Sequence, residues 1–219
     1  MLVDLKLEGK TVIVVGGGNE GYRKIQSFVD SGATIWVISK EFSSGVQKLA
    51  LEKKLSLLTT EVKDAKAFVE SLNPKPDIFL AVTNDSDLNL RLVKTAKLFG
   101  CMVYSVDNPA LSDFILPAVA HVGEVRIAVS TSGKSPAMAK LLRQRIEEMI
   151  KPEDLLEIEL QAYVRAVLRA KVFDSKARSK LLYEILNNDK IKQALKQGKM
   201  SEAQDIAKKL LHDEGRLAV

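Results

Sequence analysis

A chain of 219 residues with 46% hydrophobic and 28% charged residues has the composition of an ordinary globular protein, with room for one full core and a smaller second module. No apolar run approaches the roughly 20 residues that span a bilayer, and the amino-terminal MLVDLKLEGK lacks the features of an export signal, so a cytoplasmic protein without membrane attachment is expected. The net charge of +5 is dispersed, with 19 basic and 17 acidic residues in 1–150 and 14 and 11 in 151–219, which gives nucleic acid no stripe to bind; the single Cys101 excludes an internal disulfide and a Cys-rich metal site.

Up to about residue 107, short β-branched runs alternate with longer amphipathic ones. In chain order they are TVIVV (11–15) and a helix over 20–31, TIWVIS (34–39) and a helix over 43–54, LSLLTTE (55–61) and a helix over 64–72, DIFLAVT (77–83) and a helix over 85–99, then MVYSVD (102–107). This alternation predicts βαβ units: a Rossmann-like, doubly wound α/β domain with a parallel sheet. The runs VIVV and IFLAV are apolar at successive positions, as strands covered on both faces should be.

From Ser112 the pattern changes. FILPAVAHVGEVRIAVST (114–131) predicts two strands turned at Val122-Gly123-Glu124, and Ser135-Pro136 opens a helix reaching 149 or 150, serine as N-cap and proline at the first helical position. Beyond Lys151-Pro152 no strand-like run remains, and three or four helices are punctuated by Asp174-Ser175, Asn187-Asn188 and Gly198. The expected domains are 1–111, 112–150 and 151–219, the last all-helical and too small to bury much alone.

Gly16, Gly18 and Gly21 spell G-x-G-x-x-G between a strand and a helix, the dinucleotide-binding context. The first glycine allows the tight turn, the second lets the backbone approach a pyrophosphate, and the third allows close helix-to-strand packing. The bland alternative, a βα loop that merely turns tightly, is weaker inside a five-strand alternating pattern. The second strand ends at Ser39 where an acid usually accepts the ribose of NAD; Glu41 follows at two residues, and Lys40 between them suits a 2′-phosphate. Thr83 and Asn84 fall at the carboxyl end of the fourth strand, where ligands bind, although Asn84 or Asp85 also serves as a helix cap with Asp87 in the first turn. AVSTSGKSP (128–136) nearly spells a P-loop, but its opening glycine is replaced by Ala128, so an ATPase is rejected; its Ser/Thr-rich turn and Lys134 remain suited to carboxylates.

GGGNEGYRK (16–24), TNDSDLN (83–89), SVDNPALSDFILPA (105–118) and AVSTSGKSPAMAKLLRQRIE (128–147), in that order, resemble precorrin-2 dehydrogenases, the sirohydrochlorin-forming enzymes that include the amino-terminal part of sirohaem synthases. The resemblance covers about the first 150 residues by motif. It implies NAD-dependent oxidation of precorrin-2 to sirohydrochlorin, on the way to sirohaem or another modified tetrapyrrole, by a homodimer joined through the segment after the nucleotide domain. It makes Asp107 the essential acid and puts Asn19, Glu20, Lys40, Glu41 and Thr83 at the dinucleotide. Some members also insert ferrous iron with the same aspartate.

Glu20 departs from the valine-alanine usual after the glycines. A carboxylate in a first helical turn is favoured by the helix dipole by about 0.3–1 kcal/mol, so the expectation is that the bare backbone binds the diphosphate while Glu20 faces solvent or the ribose. Read without the resemblance, Asp107 would simply start the Asn108-Pro109 turn; with it, the carboxylate is placed to take the proton when the macrocycle loses a hydride. Ser130, Thr131, Ser132, Lys134 and Arg143 are candidates for the substrate's carboxylates, against the default of a solvated helix start and a charged helix face. No preformed metal site is expected from two histidines and one cysteine. The rivals are a bifunctional dehydrogenase and chelatase, a non-enzymatic NAD-sensing regulatory domain, and a tetrapyrrole-carrying protein that has lost the chemistry.

Overall fold

A computed structural model describes residues 2–213. It divides into two compact units, Met1–Leu116 and Pro117–Val219. In the first, β1 (Thr11–Val15), α1 (Asn19–Ile25), β2 (Thr34–Ser39), α2 (Ser44–Leu51), β3 (Ser56–Thr59), α3 (Ala65–Ser71), β4 (Ile78–Ala81), α4 (Ser86–Leu98) and β5 (Met102–Ser105) follow one another. The strands form one parallel sheet in the order β3-β2-β1-β4-β5. This is the doubly wound arrangement that the alternating pattern predicts.

Alternate residues of each strand feed two cores, one per face of the sheet. Val12, Val14, Val37 and Leu80 meet Ile25 of α1 and Val46 and Leu49 of α2. Ile13, Val15, Phe79 and Ala81 meet Ala65 and Val69 of α3 and Leu92, Val93 and Ala96 of α4. β4 is buried at all four positions, as its unbroken apolar run requires. Phe79 is fully buried, and its truncation to alanine costs about 3–5 kcal/mol. Cys101 is free and buried, and burial pushes its thiol pKa up, in keeping with an inert core residue.

The second helix, expected over 43–54, ends at Leu51, the one expected to reach 149 or 150 ends at Glu147, and the first falls furthest short of its sequence pattern. The expected 20–31 helix ends at Ile25 because the chain then tightens into i→i+3 bonds, Ser27 N to Lys24 O and Phe28 N to Ile25 O. The Ser31 hydroxyl donates to Phe28 O and so competes with helix continuation, and Asp30 and Gly32 take positive φ values of 60° and 80°.

In the second unit β6 (Ala118–Val122) and β7 (Val125–Val129) form an antiparallel hairpin turned at Gly123, whose φ is 56°. α5 (Pro136–Glu147) follows; Ser135 Oγ accepts from Met138 N and Pro136 sits in the first turn, as the sequence predicts. α6 (Pro152–Lys171), α7 (Ser175–Leu186), α8 (Asp189–Lys196) and α9 (Met200–Asp213) share a core of Leu160, Val164, Leu168, Ile185, Ile191, Leu195 and Leu211. Asp174 and Asn188 cap α7 and α8 through their side chains. Among the described residues no helix is long and apolar enough to cross a membrane.

Candidate functional site

At the carboxyl edge of the parallel sheet, the loop after β1 is shaped by what surrounds each glycine. A Cβ on Gly16 would stand 2.4 Å from Val82 O, and the residue's φ of +121° also disfavours any side chain. A Cβ on Gly21 would stand 2.1 Å from Gly16 O, so the third fingerprint glycine lets α1 pack onto the loop. Gly17, outside the fingerprint, is equally confined, by Phe42, Glu41 O and Ser39. Gly18 differs: a Cβ there would meet nothing within 4 Å, so its backbone lies open.

The starts of the helices divide in the same way. α3 and α4 are capped by Asp64 and Asp85, each accepting first-turn amides through its side chain. α1 and α2, which flank the glycine loop, have no side-chain cap bond at Gly18 or Ser43. Ser43 N donates to Gly17 O at 2.8 Å, yet the Ser43 hydroxyl is buried without a hydrogen-bond partner. An open glycine, an uncapped helix start and an orphaned hydroxyl beside them suit the diphosphate of a dinucleotide.

Glu20 is exposed and forms an ion pair with Arg23 one turn along α1, on the solvent side. Asn19 is exposed beside it. Lys40, just beyond β2, is paired with Glu61 at 2.6 Å, and Glu41 is exposed. Asn84 is exposed in the loop after β4; the cap of α4 is Asp85, whose Oδ1 accepts from Leu88 N at 2.9 Å.

Thr83 and Asp107 are joined by a residue that sequence reasoning passed over. Asn89 is fully buried in α4. Its Oδ1 accepts from Thr83 N at 3.1 Å and Thr83 Oγ1 at 2.8 Å; its Nδ2 donates to Thr83 O at 3.0 Å and to Asp107 Oδ2 at 3.1 Å. Asp107 Oδ1 accepts from Ser105 Oγ at 2.9 Å. The signal was present: Asn89 interrupts the apolar stripe of α4 that Leu92, Val93 and Ala96 continue. Asp107 lies two residues beyond β5, and its carboxylate turns back to α4 instead of capping the following turn, where Asn108 makes no side-chain cap bond.

Burial pushes the Asp107 carboxyl up, but hydrogen bonds from Ser86, Asn89 and Ser105 outweigh it and hold the pKa below the ordinary aspartate value. The group is therefore an anion at neutral pH, fixed in orientation by three side chains. Thus the first unit gathers Gly16, Gly18, Asn19, Glu20, Gly21, Lys40, Glu41, Thr83, Asn84 and Asp107 at the carboxyl ends of its strands, the edge at which open α/β sheets bind ligands.

The remaining candidates belong to the second unit. Ser130, Thr131, Ser132 and Lys134 form the turn between β7 and α5, with Ser132 at φ 51° and Gly133 at φ 79°. Two hydroxyls hold that turn: Ser132 N donates to Ser130 Oγ, and Thr131 Oγ1 accepts from Ser135 N and donates to Ser135 O. Ser132 and Lys134 are exposed. Arg143 does not join them; it lies eight residues past Ser135, about 12 Å along α5 at 1.5 Å per residue, and pairs with Glu147 in its own helix. Among the described residues no group of three or more His, Cys, Asp or Glu side chains is arranged to hold a metal.

Comparison with known proteins agrees with this architecture. Residues 3–118 match a family model described as "Putative NAD(P)-binding", and residues 123–149 match one described as "Sirohaem biosynthesis protein central". The chain is 34% identical to the "Putative precorrin-2 dehydrogenase" of Methanocaldococcus jannaschii, over 88% of this chain and 92% of that one. It is 28% identical to the precorrin-2 dehydrogenase of Methanosarcina barkeri, over 85% and 83% of the two chains. Against siroheme synthase 1 of Aeromonas salmonicida it is 28% identical over 95% of its own length but only 43% of the longer protein. Among solved structures, SirC, a precorrin-2 dehydrogenase, shares the fold with a TM-score of 0.74 at 22% identity, over 95% of this chain and 99% of SirC. Together with the glycine loop and the sheet it opens, these matches show that the chain belongs to the precorrin-2 dehydrogenase family.

Proposed function

We propose that this protein oxidises precorrin-2 to sirohydrochlorin with NAD as acceptor, in the synthesis of sirohaem or a related modified tetrapyrrole. The observation that carries the reading is the meeting of an open, uncapped glycine loop and a fixed carboxylate on one edge of one sheet, in a chain of this family.

The amides around Gly18 and the start of α1, with the Ser43 hydroxyl, would hold the diphosphate, Lys40 and Glu41 lying toward the adenosine and Thr83 and Asn84 toward the nicotinamide end. Bound NAD supplies the hydride acceptor. Two hydrogens leave the macrocycle, one as hydride and one as a proton. Hydride loss leaves a cationic macrocycle whose proton is acidic, so a weakly basic carboxylate suffices to receive it. Asp107, ionised at neutral pH and oriented by Asn89, Ser105 and Ser86, fills that role and favours the cation before the proton moves. Ser132, Lys134 and Ser130 in the β7–α5 turn, with Thr131 shaping it, provide donors for the substrate's carboxylates; Arg143 adds charge further along α5.

The proposal extends to a cytoplasmic homodimer in which 112–150 forms the subunit contact and 151–219 a separate helical module. Val119 of β6 and Met138 and Leu141 of α5 are large apolar residues left exposed on that segment.

The test is anaerobic incubation of the purified chain with precorrin-2 and NAD, following sirohydrochlorin and NADH by absorbance, then repeating with Asp107→Ala and with added ferrous iron. Equimolar sirohydrochlorin and NADH, lost in the variant, are expected. Tight NAD uptake with no turnover would instead favour a regulatory nucleotide-binding domain.

A further inference from the structure

NAD and NADP differ by one phosphate on the adenosine 2′-oxygen, which in a doubly wound sheet meets the group at the carboxyl end of β2. An acid there accepts the hydroxyl and repels the phosphate; a cation attracts the phosphate. In this chain β2 ends at Ser39, which is neutral, and the next residue is Lys40. Taken along the chain alone, that pair gives no reason to reject NADP.

The sheet changes the charge at this point. Ser39 pairs with Thr59, and Thr60 N donates to Ser39 O at 3.0 Å, so the segments leaving β2 and β3 run side by side. This places Glu61 Oε1 2.6 Å from Lys40 Nζ, while Oε2 lies 3.7 Å from Lys63 Nζ. The Glu61 carboxyl is held below its usual pKa, first by the hydrogen bond from Lys40, and is ionised at neutral pH. Lys40 and Glu61 are 64% and 43% exposed, so the pair adds little to folding stability. Its effect falls on whatever charge approaches the end of β2.

We infer that Glu61, contributed by the loop after β3, selects NAD over NADP by masking Lys40 and adding a negative charge at the end of β2, where Ser39 is neutral. The inference rests on the dehydrogenase reading for the cofactor's identity, but not on turnover. With Glu61 present, a 2′-phosphate carrying about −1.5 to −2 charges would have to displace a carboxylate from Lys40 and then lie beside it. With a neutral side chain at 61, Lys40 and Lys63 both become available to that phosphate.

Calorimetric titration of the full chain with NAD and with NADP, at low and at high salt, tests this without substrate. The wild-type chain is expected to prefer NAD. Glu61→Gln, which keeps the shape and removes the charge, is expected to tighten NADP binding by roughly five- to tenfold, the size of one partly screened charge contact, with NAD changed by less than about twofold. The gain should shrink at high salt and vanish when Lys40→Met is added to Glu61→Gln. A wild-type preference for NADP, or a ratio of the two affinities that Glu61→Gln leaves unmoved while NAD still binds, would overturn the inference. Binding of neither nucleotide by the wild-type chain would overturn the dehydrogenase reading itself, and this inference with it.

Discussion

The Asn89 carboxamide donates to Asp107 Oδ2 at 3.1 Å while its oxygen accepts from the Thr83 amide and hydroxyl, so one buried side chain in the first turns of α4 fixes the loops after both β4 and β5. Asp107→Asn keeps the shape and removes the charge. It is expected to lower kcat by about 10²–10⁴, the usual range for a positioned proton acceptor, with the Kd for NAD within a few-fold of wild type. Asn89→Leu leaves Asp107 and the Thr83 amide each short of a partner, at about 1–3 kcal/mol per unsatisfied group. It should lower both the melting temperature and kcat, and Asn89→Asp should not restore kcat, because it sets a second carboxylate against the first. Steady-state kinetics beside thermal melts separate the two effects; wild-type kcat in Asn89→Leu would remove Asn89 from the site.

The glycines of the first loop should fail in different ways. Gly16→Ala and Gly21→Ala drive a methyl group into backbone oxygens at 2.4 and 2.1 Å and should destabilise the fold by several kcal/mol, in the class of strained backbone and overpacked positions. Gly18→Ala meets open space at φ −74° and should melt within a few degrees of wild type, yet bind NAD about tenfold or more weakly if the diphosphate rests on that backbone. Equal loss of stability in all three would mean that Gly18 serves the fold alone.

Glu20 bears on the same loop. Because it pairs with Arg23 on the exposed side of α1, Glu20→Val should change the Kd for NAD by less than about twofold, an exposed pair contributing about 0–1 kcal/mol. A clear gain in affinity would place the carboxylate against the diphosphate after all.

Acid stability follows from two aspartates that lace the sheet. Asp77 accepts from Thr11 N and Lys10 at 2.9 Å each, and its carboxyl is held below the usual value, first by the Thr11 amide and then by Lys10. Burial raises the Asp113 carboxyl, but Lys97 and the Val103 amide together lower it. A depressed folded-state pKa contributes stability above the unfolded value, near 3.9, and loses it as pH falls through the lower folded value. Urea midpoints should therefore drop below about pH 4, and Asp77→Asn should flatten that drop. The shift at Asp107 has the same direction, so an acid limb of kcat/KM above about pH 5 would belong to another group.

The proposed subunit contact gives a test by size. Leu141→Glu and Met138→Asp place charge on residues that are 38% and 44% exposed in the single chain, so the isolated fold should tolerate them. Light scattering should then report a monomer where the wild type gives a dimer. A wild-type monomer would remove 112–150 from that role.

Periodicity and punctuation made the parallel sheet, the hairpin, the Ser135-Pro136 helix start and the final helices legible along the chain, because each depends on residues a few positions apart: unbroken apolar runs in β1 and β4, a serine before a proline, a glycine past a helix end. The fingerprint glycines were legible for the same reason. What the sequence could not place were contacts between segments joined only through the sheet. Asn89 reaches Asp107 across 18 positions and Glu61 reaches Lys40 across 21, and no local pattern encodes either pairing. Burial decided that a polar residue on the apolar stripe of α4 orients the acid, and strand register decided which charge stands at the end of β2. The chain's own chemistry supplied the groups; the distance between them, and hence their electrostatics, came only with the packed sheet.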